Sequence, residues 1–149
     1  MDLNCIAADL NFEKTFVHIL DAKCNIKKIS NSTEKKFGID IKYSKPIVFE
    51  NKKVGKLLLQ IDISLKSEEP DSIEDTIKFV IEGEFSSDKS IDDDKFMELL
   101  NINGGAALYS IARSKIESIS SIVYSEGKVL LPMINIIQYY QEKSKMAES

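Results

Sequence analysis

Apolar and polar positions change their period along the chain, and the changes divide it into elements. Leu57, Leu59, Ile61, Ile63 and Leu65 alternate with Leu58, Gln60, Asp62, Ser64 and Lys66. A period of two marks a strand with one buried face. The polar link KSEEPDSIED follows, with Pro70-Asp71 as a turn. Ile77, Phe79, Ile81 and Phe85 then alternate with Lys78, Val80, Glu82 and Glu84. Gly83 interrupts that row and predicts a bulge or a close approach. Two such runs predict an antiparallel pair. Upstream the pattern is weaker. Phe16 to Ile29 predicts one bent or bulged strand, and NSTEKKFG (Asn31–Gly38) reads as turn chemistry. Ile39, Ile41 and Tyr43 predict a short strand that Pro46 ends or confines to an edge. Residues 1–15 are weakly patterned; Leu3, Ile6, Ala7 and Leu10 fit a short helical turn.

At SIDDDKFMELLN the period becomes helical. Asp92–Asp94 supply a cap and negative charge at a helix start. Gly104-Gly105 predicts a break or kink, and a long helix follows from about Ala106 to Tyr124, roughly 28 Å at 1.5 Å per residue. Leu108, Ile111, Ala112, Ile116, Ile119, Ile122 and Val123 form its apolar face. SEGK stops it, with Gly127 past the end. VLLPMIN (Val129–Asn135) reads as extended, and Asn135 as the N-cap of a last helix from Ile136 to about Lys143. The tail 144–149 is expected to fray. Strands followed by helices predict one α+β domain over 1–149, a four-stranded antiparallel sheet with helices on one face. Val48, Leu58 and Val80 then fall on the second sheet face, and Ala106 and Tyr109 off the helix stripe. That is more apolar surface than two layers bury, so oligomerisation is expected.

Composition narrows the function classes. Apolar residues make up 43% and charged residues 30%, with net charge −4. An acidic chain whose lysine pairs (Lys27-Lys28, Lys35-Lys36, Lys52-Lys53) are scattered argues against nucleic acid and anionic membrane as partners. No run approaches the ~18–20 apolar residues that span a bilayer. The N-terminus has no basic n-region, so a cytoplasmic protein with no membrane insertion is expected. Cys5 and Cys24 lack CxxC spacing. The only histidine, His18, sits in a strand-like run, and no Cys/His cluster has zinc spacing. Asn103–Gly105 (NGG) lacks the Lys-Ser/Thr of a phosphate loop, and Asp92–Asp94 lack the central Gly and distal Glu of a calcium loop. The chain therefore reads as a binding protein with no cofactor, no metal and no catalytic residues, rather than an enzyme.

The C-terminal half resembles the SecB family of protein-export chaperones, whose members carry an L-x-P-Y-A-R helix followed by an L-P-P-[IV]-N-F-x-x-L-Y segment. Leu108, Ala112 and Arg113 match the first block; Leu131, Pro132, Ile134, Asn135 and Tyr140 match the second. Ser110 and Ile111 stand in place of Pro-Tyr, Met133 in place of a proline and Ile136 in place of the Phe. The resemblance implies a SecB-like fold with a long helix, an apolar crossover loop and a C-terminal helix. It also implies a homotetramer, a dimer of dimers with the long helices between the dimers. Leu108, Ile111, Ile116, Ile119 and Ile122 are then the expected oligomer interface, and Arg113 a structural anchor. The implied function is a holdase for unfolded precursor polypeptides. Its expected client groove is formed by Val129, Leu130, Leu131, Met133 and Ile134 of the crossover with Ile137 and Tyr140 of the last helix. Leu131 and Ile136 read equally well as core. Glu82 and Glu84 are candidates for docking the SecA motor or, alternatively, a solubilising face. The second functional reading is a SecB-like chaperone dedicated to one client, such as an antitoxin or phage protein.

Overall fold

The strict alternation of residues 57–66 becomes the centre of the sheet. A computed structural model describes residues 1–2 and 8–148, so the helical turn expected at Leu3, Ile6 and Ala7 lies outside the described residues. Strands β4 (Lys52–Lys66) and β5 (Asp75–Asp88) pair antiparallel from Lys52↔Asp88 to Leu65↔Asp75. Leu57, Leu59, Ile61, Phe79 and Ile81 share the buried face and are at most 1% exposed. β1 (Asn11–Lys23) pairs with the far side of β5 and β2 (Glu34–Tyr43) with the far side of β4, giving the order β1-β5-β4-β2.

Three boundaries differ from the sequence reading. β1 carries the expected irregularity between Val17 and Ile19 and another between Phe12 and Lys14, but it runs from Asn11 to Lys23 rather than from Phe16 to Ile29. β2 begins at Glu34, inside the stretch read as a turn. There Lys35 and Phe37 sit opposite Leu65 and Ile63, so the ladder offered by a long β4 outweighs local turn composition. A fifth strand, β3 (Ile47–Phe49), follows Pro46 and pairs with Lys52–Val54. Glu50 and Asn51 between them both have positive φ, 48° and 67°. This is the conformation of a two-residue hairpin turn without its usual glycine, which is why the sequence did not announce it.

Helix α1 (Asp93–Leu99) starts as expected: the Asp92 carboxylate accepts the Lys95 N–H at 2.9 Å. Gly104-Gly105 does not break the helix. The chain instead passes through a π-helical turn, Leu100–Gly104, directly into α2 (Gly105–Val123). The glycines are needed for close approach, since a Cβ on Gly104 would lie 3.3 Å from Leu57 and Phe85 side chains. Leu108, Tyr109, Ala112 and Ile116 of α2 are buried in the same core as the sheet's inner face. Asn135 caps α3 (Ile136–Glu148), its Oδ1 accepting the N–H groups of Ile137 and Gln138 at 3.1 and 3.2 Å. α3 continues past Lys143 to Glu148, so most of the tail expected to fray is helical.

At the start of β5, the fully buried Asp75 ties distant segments together. Its carboxylate accepts the Asn25 N–H at 2.6 Å, the Ile26 N–H at 3.2 Å and the Tyr124 hydroxyl at 3.0 Å. The loop after β1 is also laced to the end of α2, with the Ile29 N–H on the Glu126 carbonyl and the Ser125 N–H on the Lys27 carbonyl, both at 2.9 Å. Among the described residues no helix is long and apolar enough to cross a membrane.

Candidate functional site

α3 lies along the outer edge of β2. The Ile41 N–H donates to the Tyr139 hydroxyl at 2.8 Å, and the Lys143 ammonium donates to the Ile41 carbonyl. Helix side chains thus take the place of a neighbouring strand at one rung of an otherwise open edge. Lys143 also donates to the Asp40 carboxylate at 2.7 Å, and this bond holds the Asp40 carboxyl below its usual range. Removing the hydroxyl with Tyr139→Phe is expected to cost about 1 kcal/mol. It should be read as a lower urea midpoint at unchanged slope.

Between α3, the π turn and the end of β2 lies an open cleft of about 530 Å³. Ile137 and Tyr140 come from α3, Asn101 and Ile102 from the π turn, and Tyr43 from β2. Its surface is largely apolar. Burial pushes the Tyr140 hydroxyl well above the ordinary phenol range, so it remains a neutral hydroxyl. Past Tyr43 the same sheet edge continues into β3, whose Ile47, Val48 and Phe49 are 61–63% exposed. This leaves a run of apolar side chains uncovered along one sheet edge.

The crossover residues alternate between core and solvent from Val129 to Leu131, and the alternation stops at Pro132, after which Met133 is exposed. Val129 and Leu131 are fully buried, whereas Leu130 and Met133 are 50% and 79% exposed. Val129 and Leu131 are therefore core and not groove-facing, because an extended segment sends successive side chains to opposite sides. Ile136 is buried as well. Hydrogen bonds pin the crossover to α2. Val129 N–H donates to Ser120 Oγ (2.8 Å), Arg113 Nε–H to the Leu131 carbonyl (2.7 Å) and Tyr109 O–H to the Pro132 carbonyl (2.5 Å). Arg113 thus secures backbone. Met133 and Ile134 line a smaller hollow of about 280 Å³ beside Tyr109 and Arg113. The main cleft accordingly gathers Ile137 and Tyr140 of the expected groove. It adds Tyr43, Asn101 and Ile102, which the sequence reading missed. Asn101 and Ile102 precede the flagged glycine pair, and that was the one available signal.

The helix stripe expected at an oligomer interface also divides. Leu108 and Ile116 face the chain's own sheet and are 1% and 2% exposed, so they are core residues rather than contacts between copies. Ile111 and Ile119 lie half-buried at the margin, and Ile122 is 85% exposed. Val123 and Ile119 border a shallow apolar hollow with Leu20 of β1. No strand covers the outer edge of β1 among the described residues, and Phe16, Ile19 and Leu20 on it are exposed.

Glu82 and Glu84 lie on the sheet face opposite the helices, where two lysines pair with them and His18 approaches Glu82 within hydrogen-bond distance. Lys56 reaches Glu82 at 3.0 Å and Glu84 at 3.8 Å, Lys14 reaches Glu84 at 3.6 Å, and His18 Nε2 reaches Glu82 at 3.3 Å. The Lys56 hydrogen bond is the main reason that the Glu82 carboxyl sits below its usual range. Among the described residues no three His, Cys, Asp or Glu side chains gather into a group able to hold a metal ion.

No family model matches this chain, and no curated protein does. Solved structures do. The Rv1957 SecB-like chaperone of Mycobacterium tuberculosis, in complex with a ChAD peptide from the Rv1956 HigA1 antitoxin, superposes with a TM-score of 0.66 at 8% identity, over 85% of this chain and 91% of that one. A protein of unknown function from Streptococcus agalactiae superposes with a TM-score of 0.52 at 15% identity, over 83% of this chain and 97% of that one. The antiparallel sheet, the long helix, the pinned crossover and the final helix, superposed over most of both chains on the mycobacterial protein, give this chain a SecB-like fold.

Proposed function

We propose that this chain is a cytoplasmic, ATP-independent holdase chaperone that binds extended or unfolded polypeptide through the cleft between α3 and the π turn. The observation that carries the reading is the open apolar cleft itself, continuous along the β2 edge with the exposed β3, in a chain of SecB-like fold. Unfolded clients present apolar side chains and free backbone groups, and such a surface accepts both. Burying one Leu-sized client side chain contributes roughly 1.5–3 kcal/mol, so a single contact is weak. Several clefts on one assembly raise the avidity without new contacts. The bare β1 edge, with Ile122 and Val123 beside it, supports self-association, and a homotetramer would multiply the clefts. No step of this work requires bond chemistry.

Service to a dedicated client is the reading we favour over hand-off of exported precursors to SecA. Lys14 and Lys56 already compensate Glu84 and Glu82, so the pair of glutamates offers a docking motor little net charge. The mycobacterial neighbour was solved with an antitoxin peptide, which supports the same choice. The test is fluorescence anisotropy with a permanently unfolded, labelled protein and with its native form, without nucleotide. Binding to the unfolded form alone is expected, and failure to bind either form would overturn the proposal. Leu130 and Met133 lie exposed outside the cleft, so a client that runs on from the cleft over the crossover should bind about tenfold more weakly, roughly 1.4 kcal/mol, when both are replaced with Ser, with the mass by light scattering unchanged. Unchanged affinity would move the contact off the crossover.

A further inference from the structure

The hairpin beside the cleft projects a bare apolar tip. β3 pairs with β4 through Ile47↔Val54, Val48↔Lys53 and Phe49↔Lys52. Successive strand residues point to opposite faces, yet Ile47, Val48 and Phe49 are 61%, 63% and 61% exposed. Both faces of this strand are therefore uncovered. Its turn is well defined: Glu50 and Asn51 hold positive φ without glycine, and the Lys89 ammonium donates to the Asn51 side-chain oxygen at 2.6 Å. A glutamate in that conformation costs energy, and such turns persist where they serve a function.

The placement of the tip indicates what it fits. Tyr43 lines the cleft and ends β2, and only Ser44, Lys45 and Pro46 separate it from β3. A projecting apolar element and an apolar hollow thus share one patch of surface. Such a patch is complementary to itself, because a twofold axis beside it sets each tip into the other copy's hollow. The charges agree. Lys45, next to the tip, has no ion pair among the described residues. Glu98 on the cleft rim holds only Lys95, at 3.0 Å in an exposed pair of little strength. The other charged rim residue, Lys143, is matched by Asp40. We propose that the β3 tip of a second copy occupies the cleft in the client-free protein, with Phe49 against Ile102 and Ile137 and with Lys45 facing Glu98. The contact is small. A buried aromatic side chain covers about 150–250 Å², so three apolar residues fall far short of the roughly 1,200–2,000 Å² of a stable complex. The contact is therefore reversible, and an unfolded client, which brings many more apolar groups, displaces it. Only that displacement rests on the client-binding reading above; it makes the hairpin a competitor of the client.

The test places a benzophenone amino acid at Phe49 of the full chain and irradiates it without client. Crosslinked peptides are identified by mass spectrometry. A covalent dimer joined from position 49 to residues 101–102 or 137–141 is expected. Lys45→Glu should lower its yield about threefold, the scale of an exposed ion pair, and adding Glu98→Lys should restore it. An excess of a permanently unfolded client should abolish the dimer. No dimer from position 49, a dimer joined elsewhere, a yield blind to the charge reversal, or a dimer that survives a client bound by anisotropy would each overturn the inference. A dimer joined at the cleft in a chain that binds no client by anisotropy would uphold the contact between copies and remove the client-binding reading instead.

Discussion

Asp75→Ala is expected to cost the fold about 3–5 kcal/mol, measured as the fall in unfolding free energy in urea. The side chain is wholly buried and serves as acceptor for the Asn25 and Ile26 amides and the Tyr124 hydroxyl. Each buried donor left without a partner costs about 1–3 kcal/mol, and neighbouring losses do not add fully. The substitution should also loosen the link between the β1–β2 loop and the end of α2, because that loop folds back on the Asp75 carboxylate. Tyr124→Phe removes one of the three bonds and should cost far less, about 1 kcal/mol. A loss of under 1 kcal/mol for Asp75→Ala would mean that the loop is held by its backbone bonds to Ser125 and Glu126 alone.

The second large effect concerns binding. Ile137→Asp should weaken an unfolded client about 30-fold, or roughly 2 kcal/mol, with little change in stability. Ile137 is half-exposed on the cleft wall, so a carboxylate there remains hydrated until a client covers it. The adjacent Ile136 provides the contrast. It is 8% exposed, and its side chain lies 3.2 Å from where a Cβ on Gly105 would stand. Ile136→Asp should therefore unfold the chain or release α3, with the damage read in thermal melting before any client is added. If the two neighbours behave alike, the assignment of one to the cleft and the other to the core is wrong.

Legibility followed the range of the interactions. β4 and β5 could be read because a long run with one buried face writes its period directly into residues 57–66 and 77–85. The caps at Asp92 and Asn135 could be read because a cap acts within one helical turn. β3 could not, since three residues in a ladder have no period and Glu50-Asn51 adopts its turn without glycine. The π turn was half legible. Gly104-Gly105 marked the place, but whether glycine breaks a helix or admits a neighbour depends on what lies 3 Å away in the folded chain. For the site, Ile137 and Tyr140 were found and Tyr43 and Asn101 were missed, because the cleft joins segments far apart in sequence. Val129 and Leu131 were assigned to the groove as members of an apolar loop. An extended segment places Val129 and Leu131 together on one side, opposite Leu130, and in the folded chain that side is the core.

Site-specific photocrosslinking distinguishes unfolded polypeptide seated between α3 and the π turn from polypeptide held elsewhere. A benzophenone amino acid replaces Gln141 on the cleft rim or Asp62 on the exposed opposite sheet face. Each variant is irradiated with a permanently unfolded client. A strong crosslink from position 141 and a weak one from position 62 are expected, with loss of the former when Ile137→Asp is combined with it. Equal crosslinking from both positions, or a stronger product from position 62, would contradict binding in the cleft.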